Sequence, residues 1–296
     1  MSYSFIRYPG GKSKHVNKIL QYTINCDFRG CYREPFVGGG SVYLQNKFRH
    51  GWINDLDKGI FELWRMVKEE PNTLIQLIEK HTPILEHNKD AFKIKKSLEL
   101  WKSIKNDING NIVPFGYRSL FLNKTCFSGL QSGGPTGGIY QTGKYNLTSR
   151  WSRKRTIQKI KEAHIKLQFC KITNEQWYVL FENIDKKSFF FCDPPYYHKG
   201  SLCYSKHFSH DDHKNLAKKI LSCGARYVVT LDDCFEIRKI WTDLGCSEKL
   251  ILTEEWLYSM ISSRTKNKLG KELFIVDEKS YEYVVRNKKL GNAMDY

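Results

Sequence analysis

The residues best suited to chemistry in this 296-residue chain lie in Ser188-Phe-Phe-Phe-Cys-Asp-Pro-Pro-Tyr-Tyr197. Asp193 supplies a carboxylate, Pro194 a carbonyl on a stiff backbone, and Tyr196 an aromatic face. Such a set can accept the hydrogens of an amino group on a planar ring and hold that ring by stacking. Tyr197 serves equally well as core and ranks below Tyr196. The apolar run Phe189 to Cys192 predicts a central parallel strand covered on both faces, with Cys192 there for packing. Pro194 and Pro195 cannot donate ladder hydrogen bonds, so the strand must stop before them. Asp193 therefore falls at the carboxyl end of a buried strand, where open α/β sheets bind their ligands.

A second set could hold a nucleoside. Tyr32-Arg-Glu-Pro-Phe-Val-Gly-Gly-Gly-Ser-Val-Tyr-Leu44 predicts a short strand, a glycine turn, and an amphipathic helix from near Ser41. Glycines at such a turn let backbone approach a ligand closely. Gly51-Trp-Ile-Asn-Asp55 reads as the next strand, ending in an acid where a ribose diol is gripped in this architecture. Asp57 is the rival acid, expected in the following helix turn. Arg7-Tyr-Pro-Gly-Gly-Lys12, followed by Ser13, is not a phosphate loop, because that motif needs a glycine where this chain has Ile6. A Pro-Gly-Gly turn before a helix (Ser13 to about Tyr22) still offers N–H groups and Lys12 to an anionic or carboxylate-bearing ligand. A plain helix-capping turn accounts for it equally well.

The chain carries 48 Lys and Arg against 31 Asp and Glu, a net charge of +17, which favours a polyanionic partner over a merely lysine-rich proteome. Nine cysteines without a C-x-x-C pair suggest neither a disulfide framework nor a zinc site, and fit a reducing cytosol. Residues Met1 to Arg7 lack a signal-peptide layout, and no apolar run approaches the ~18 residues of a membrane span. The expectation is a soluble, cytoplasmic protein.

Between the two sets the pattern turns helical from about Ile60, with Pro71, Pro83 and Pro114 as breakers and Trp64 and Trp101 as core. Residues 109 to 152 then mix a Gly133-Gly-Pro-Thr-Gly-Gly138 loop with Phe127, Tyr140, Tyr145 and Trp151. Arg150, Arg153, Lys154 and Arg155 follow, and a helix bears Lys159, Lys161 and Lys166. This makes a DNA-contacting surface, or alternatively a solvated basic helix beside a long loop. A third strand is expected at Lys166 to Thr173, then a helix at Glu175–Phe181 capped by Asn174. After Lys199, Gly200, Tyr204 and Phe208, a helix starts near Asp211. Strands are expected at 226–232, 253–261 and 272–276, the last two separated by a basic link (264–271). The alternation implies one α/β domain, residues 1–60 and 161–296, interrupted by an insertion at 61–160.

Together these stretches resemble the Dam-type DNA adenine-N6 methyltransferases of the D12 class, in the alpha arrangement. The resemblance rests on Tyr8-Pro-Gly-Gly-Lys12, Pro35-Phe-Val-Gly-Gly-Gly40, Phe121-Leu-Asn-Lys-Thr-Cys-Phe-Ser-Gly129 and Asp193-Pro-Pro-Tyr196, in that order. It implies a Rossmann-like S-adenosylmethionine-dependent methyltransferase sheet with helices on both faces, and an inserted, largely helical target-recognition domain. S-adenosylmethionine contacts would fall at Tyr8, Lys12, Phe36, Gly38, Gly40, Asp55 and Asp193. Asp193, Pro194, Pro195 and Tyr196 would serve catalysis, without a metal. Lys124, Tyr140, Tyr145, Arg150, Arg153, Lys154 and Arg155 would meet double-stranded DNA. A restriction endonuclease acting on the same site would be a partner of a restriction–modification enzyme but not of a solitary or phage one. A monomer or weak dimer suffices for a single-base reaction.

Residues 130–150 depart most from the family pattern. A cytosine-C5 methylase needs a cysteine after proline, and none of the eight prolines precedes one. A cytosine-N4 methylase, more often carrying serine at position 193, is the nearest alternative. A non-catalytic DNA-binding relative is the alternative from another class.

Overall fold

The computed structural model describes residues 4–8, 10–86, 90–198, 208–257 and 269–294. The chain divides into two compact units. The first comprises Met1–Ser13, Gly38–Leu44 and Asp55–Asn174; the second comprises Lys14–Val37, Gln45–Asn54 and Glu175–Tyr296.

Among the described residues seven strands occur: β1 (Cys31–Glu34), β2 (His50–Asn54), β3 (Cys170–Thr173), β4 (Phe189–Cys192), β5 (Arg226–Asp232), β6 (Ile251–Leu257) and β7 (Leu269–Val276). All but β3 belong to the second unit, in the order β2-β1-β4-β5-β7-β6. Pairing is parallel from β2 through β5, while β7 runs antiparallel to both β5 and β6. The helices are α1 (Val16–Leu20), α2 (Lys58–Glu69), α3 (Pro71–Leu85), α4 (Ala91–Asn106), α5 (Phe115–Thr125), α6 (Arg153–Lys166), α7 (His210–Ser222), α8 (Phe235–Asp243) and α9 (Glu278–Met294).

In the second unit β4 is apolar throughout because both its faces are covered, and its four side chains are buried. Phe190 and Cys192 share a core layer with Leu216 and Ile220 of α7 and with Ile237 and Trp241 of α8. Phe189, turned to the other face by the strand's two-residue period, meets Tyr32 and Phe48. Phe274 of β7 likewise reaches Tyr22 on the side opposite Leu273 and Ile275. The start of α7 is fixed by a capping box between Ser209 and Asp212.

The first unit is helical, α2 to α6, plus β3. Asp57 and Asp90 cap α2 and α4 through their carboxylates. Trp64, Leu120, Phe121 and Ile160 are fully buried, and Trp151 donates from Nε1 to Thr82 Oγ1 at 3.0 Å. No described helix is long and apolar enough to cross a membrane. The described cysteines are free thiols.

Several local expectations change. The helix from Ser41 is a single 3-10 turn, Tyr43–Gln45; the Leu44 N–H bonds Gly40 O at 3.0 Å, which is enough to bury Val42 and Tyr43. Pro83 lies inside α3 rather than ending it, because only two residues follow it in the helix and the lost hydrogen bond falls in the last turn. Asn174 caps no helix: its amide donates to Asp55 O at 2.8 Å, and Trp177–Phe181 is a 3-10 segment. Helix α6 runs to Lys166, so β3 begins only at Cys170. Lys199, Gly200, Tyr204, the end of the strand expected at 253–261 and link residues 264–268 lie outside the described residues.

Candidate active site and DNA-contact surface

In the first unit, the glycine turn and Asp55 build one another. Gly38 N–H donates to Asp55 Oδ2 at 2.8 Å, and Asp57 N–H donates to Asp55 Oδ1 at 2.9 Å. Both bonds favour the ionised acid, but burial outweighs them and pushes its pKa up to about 7. Gly38 (φ 45°) and Gly40 (φ 59°) both adopt the left-handed region. A Cβ at Gly38 would come within 2.6 Å of the Tyr8 ring, and one at Gly40 within 2.4 Å of the Trp64 ring. Both conformation and space therefore demand glycine. Trp64 Nε1 donates to Gly38 O at 3.0 Å and anchors the turn from behind.

The Tyr8 carbonyl accepts from Gly11 N–H at 3.0 Å, closing the N-terminal turn. Lys12, only 4% exposed, donates from Nζ to Gly10 O at 3.1 Å. Tyr8, Gly38 and Asp55 thus come together around the turn. Asp57, the rival acid, is spent as the cap of α2.

In the second unit, β1 and β4 are parallel neighbours whose successors β2 and β5 lie on opposite sides. That reversal is a topological switch point, the place where open α/β sheets take ligands at the strands' carboxyl ends. Asp193 follows β4 directly and is half-buried, and its Oδ1 accepts from Thr230 Oγ1 at 2.7 Å. Pro194 is buried and Pro195 half-buried. The Tyr196 hydroxyl donates to the buried Glu272 of β7. Tyr197 N–H and His198 N–H donate to Asp232 at 2.8 and 3.1 Å. Asp232 and Glu272 are ladder partners, so this one cross-strand pair ties down Tyr196, Tyr197 and His198. Phe36, beyond β1, packs edge-on against Phe208 at 5.6 Å and tilted against Trp177.

Thr230, Asp232 and Glu272 escaped the sequence reading. Their signal is a polar residue inside an otherwise apolar strand, in Val-Val-Thr-Leu-Asp232 and in Glu272-Leu-Phe-Ile-Val276.

The basic surface belongs to the first unit. Lys124, Arg150 and Arg155 line a cavity of about 370 Å³ together with Arg7, Lys159 and Asn123. The Asn123 amide grips the Arg7 backbone at both ends, accepting from Arg7 N–H at 2.9 Å and donating to Arg7 O. Arg150 Nη1 is buried with no hydrogen-bond partner. Burial, then Lys159, Arg7 and Arg155, bring the Lys124 pKa down to about 8. Such a concentration of positive charge suits an anion.

Arg153 pairs instead with Glu79 at 2.7 Å, and neither it nor Lys154 lines the cavity. Tyr140 and Tyr145 stand apart from the cavity wall and are 83% and 60% exposed, as Phe127 also is largely exposed. The glycine loop is pinned to α5's end by Phe127 N–H to Gly134 O (2.9 Å) and Thr136 N–H to Thr125 O (2.8 Å). Arg7, which lines the cavity, lay outside the expected basic surface, and Lys159 was expected there only as one of three lysines on the helix. Lys159 lies one turn beyond Arg155 on the same helix face, which is the signal that could have found it.

Residues 8–260 match the D12 class N6 adenine-specific DNA methyltransferase family. The chain is 28% identical over 249 residues to the Type II methyltransferase M.MjaIII of Methanocaldococcus jannaschii, covering 76% of this chain and 83% of that protein. It is 24% identical over 263 residues to the DNA N-6-adenine-methyltransferase of Escherichia phage P1, covering 82% of this chain but 31% of the phage protein. Similarity to the DNA adenine methylase of Escherichia coli K12 is 24% over 197 residues, 65% of this chain and 64% of the enzyme. With this match extending from Tyr8 through the Asp193-Pro-Pro-Tyr196 stretch, the chain belongs to the D12 class of N6 adenine-specific DNA methyltransferases.

Proposed function

We propose that this chain transfers a methyl group from S-adenosylmethionine to the N6 amine of an adenine turned out of duplex DNA. The observation that carries this reading is Asp193-Pro-Pro-Tyr196 at the switch point, with Thr230 orienting the acid and Glu272 holding the tyrosine. The N6 lone pair is delocalised into the ring and attacks poorly by itself. The Asp193 carboxylate and the Pro194 carbonyl accept its hydrogens, localising the pair, while Tyr196 stacks on the base. S-adenosylmethionine supplies an electrophilic methyl on a sulfonium: the new N–C bond forms as the S–C bond breaks, sulfur keeps the electron pair, and a proton leaves N6.

The residues fit this donor. Asp55, held by Gly38 and Asp57, suits the ribose diol, and Tyr8, Lys12 and Gly40 suit the adenosine and methionine ends. Residues 61–160 would form the target-recognition insertion between catalytic segments 1–60 and 161–296. There Lys124, Arg150 and Arg155 take backbone phosphates and Tyr140 and Tyr145 reach the bases. Duplex DNA is the partner, with an endonuclease of the same specificity if the chain belongs to a restriction–modification pair.

The test is incubation with labelled S-adenosylmethionine and DNA, then digestion to nucleosides. Label in N6-methyladenine is expected. Label in N4-methylcytosine would move the chain to the cytosine reading, and no label would leave a DNA-binding relative.

A further inference from the structure

We infer that His198, Cys234 and Glu236 form a binding site for one Zn²⁺-type divalent cation. Among the described residues, these three offer ligand atoms that all lie within 4.8 Å of one another. His198 Nε2 and Glu236 Oε2 are 3.3 Å apart. That separation matches the edge of a tetrahedron whose bonds are about 2.0–2.1 Å, the usual Zn–N and Zn–O lengths. Cys234 Sγ adds a thiol, so the three together offer a nitrogen, an oxygen and a sulfur. A thiol in that set selects a borderline ion such as Zn²⁺ over Mg²⁺ or Ca²⁺, which prefer oxygen cages.

The scaffold is already assembled. His198 lies in the segment that follows β4, whereas Cys234 and Glu236 lie at the start of α8 after β5. Asp232 joins the two, because its carboxylate accepts both the Tyr197 and His198 N–H groups. The ligands therefore require side-chain adjustment and no loop closure, and the ordering cost of binding is small. Asp233, next in line, is committed to Arg238 through two bonds of 2.7 and 2.9 Å, so it does not compete as a ligand. The side chains of His198 and Glu236 are 57% and 38% exposed, which leaves an entry path and a fourth coordination position for water.

The ligands lie 36 and 38 residues apart from His198, so no metal-binding spacing marks them in the sequence. Once filled, the site would clamp the loop bearing Tyr196 and Tyr197 to the start of α8. The inference stands on these three side chains and does not depend on the methyl-transfer reading.

Full-length chain stripped with a chelator is titrated with Co²⁺ as a spectroscopic probe, and then with Zn²⁺. One equivalent is expected, with a thiolate-to-cobalt charge-transfer band that Zn²⁺ displaces and Mg²⁺ does not. Cys234→Ser removes the band, and His198→Gln and Glu236→Gln each weaken Zn²⁺ binding at least ~10-fold. Circular dichroism of the metal-free variants separates a folding defect from lost ligation, and His198→Gln, on an exposed side chain, decides if Cys234→Ser folds poorly. A band that persists in Cys234→Ser assigns the metal to other thiols and overturns the site, as does Zn²⁺ affinity within twofold of the parent in His198→Gln and Glu236→Gln.

Discussion

Thr230 Oγ1 donates a 2.7 Å hydrogen bond to Asp193 Oδ1. The two residues sit side by side past the β4–β5 ladder, where Cys192 pairs with Val229, so the bond is set by strand register. A carboxylate carried on two rotatable bonds needs such a tether to meet a small amine in a fixed plane. Thr230→Val keeps the shape and deletes the donor. It should lower kcat by roughly ten- to a hundredfold, with the KM for DNA nearly unchanged, while Thr230→Ser keeps most activity. Asp193→Ala should lose at least about a hundredfold. Single-turnover methyl transfer measures all three, and parental kcat in Thr230→Val would remove Thr230 from the site.

The Tyr196–Glu272 bond separates a stability role from a stacking role. Glu272 is 3% exposed, and removing a donor from a buried carboxylate costs about 1–3 kcal/mol. Tyr196→Phe should therefore lower the urea midpoint yet keep methyl transfer within about tenfold, since the aromatic face remains. Tyr196→Ala should lose far more activity because the face is gone. Equal activity in the two variants would show that the ring does not hold the base.

The elements and main motifs were legible because they are local. A run of four apolar residues closed by two prolines can only be a buried strand ending at Asp193, and Arg226–Asp232 reads from its own composition. The glycine turn announced Asp55 through spacing. What could not be read was long-range pairing. Glu272 meets Tyr196 across 76 residues, and Asn123 holds Arg7 across 116. Arg153, Lys154 and Arg155 look equivalent in sequence, yet of the three only Arg155 lines the cavity, while Arg153 pairs with Glu79 on α3. The helix expected at Ser41 failed for a simpler reason, since one turn already buries its apolar residues.

In its proposed ribose-binding role, Asp55 would make donor binding depend on pH. With its pKa pushed up to about 7 by burial, it is half protonated at neutrality. A ribose diol donates to the carboxylate, not to the acid, so the Kd for S-adenosylmethionine should rise as the pH falls below about 7, approaching tenfold per pH unit. Asp55→Asn should bind weakly at pH 8 and show a flat profile. Folding stability runs the other way. The folded pKa exceeds the ordinary 3.8, so the contribution is fully present below that value and is lost as pH rises through about 7. Calorimetric titration of the donor across pH 6–8.5 checks the first claim, and urea unfolding of the parent against Asp55→Asn checks the second.

The cavity around Lys124 predicts that DNA binding takes up a proton. Burial and the cations Lys159, Arg7 and Arg155 hold the Lys124 pKa down to about 8, so part of the population is uncharged just above neutrality. A phosphate in the cavity would restore that charge. Affinity should therefore fall as pH rises through about 8, beyond the fall in a Lys124→Arg variant that stays charged. Calorimetry in two buffers of different ionisation enthalpy should find proton uptake near pH 8 in the parent and none in Lys124→Arg. Salt dependence identifies the contacts independently. Arg155→Ala and Arg150→Met, on the cavity wall, should each flatten the log–log slope by roughly 0.9, whereas Arg153→Ala, already paired with Glu79, should leave it nearly unchanged. A larger loss of slope in Arg153→Ala than in Arg155→Ala would move the DNA track off the cavity and onto the exposed start of α6.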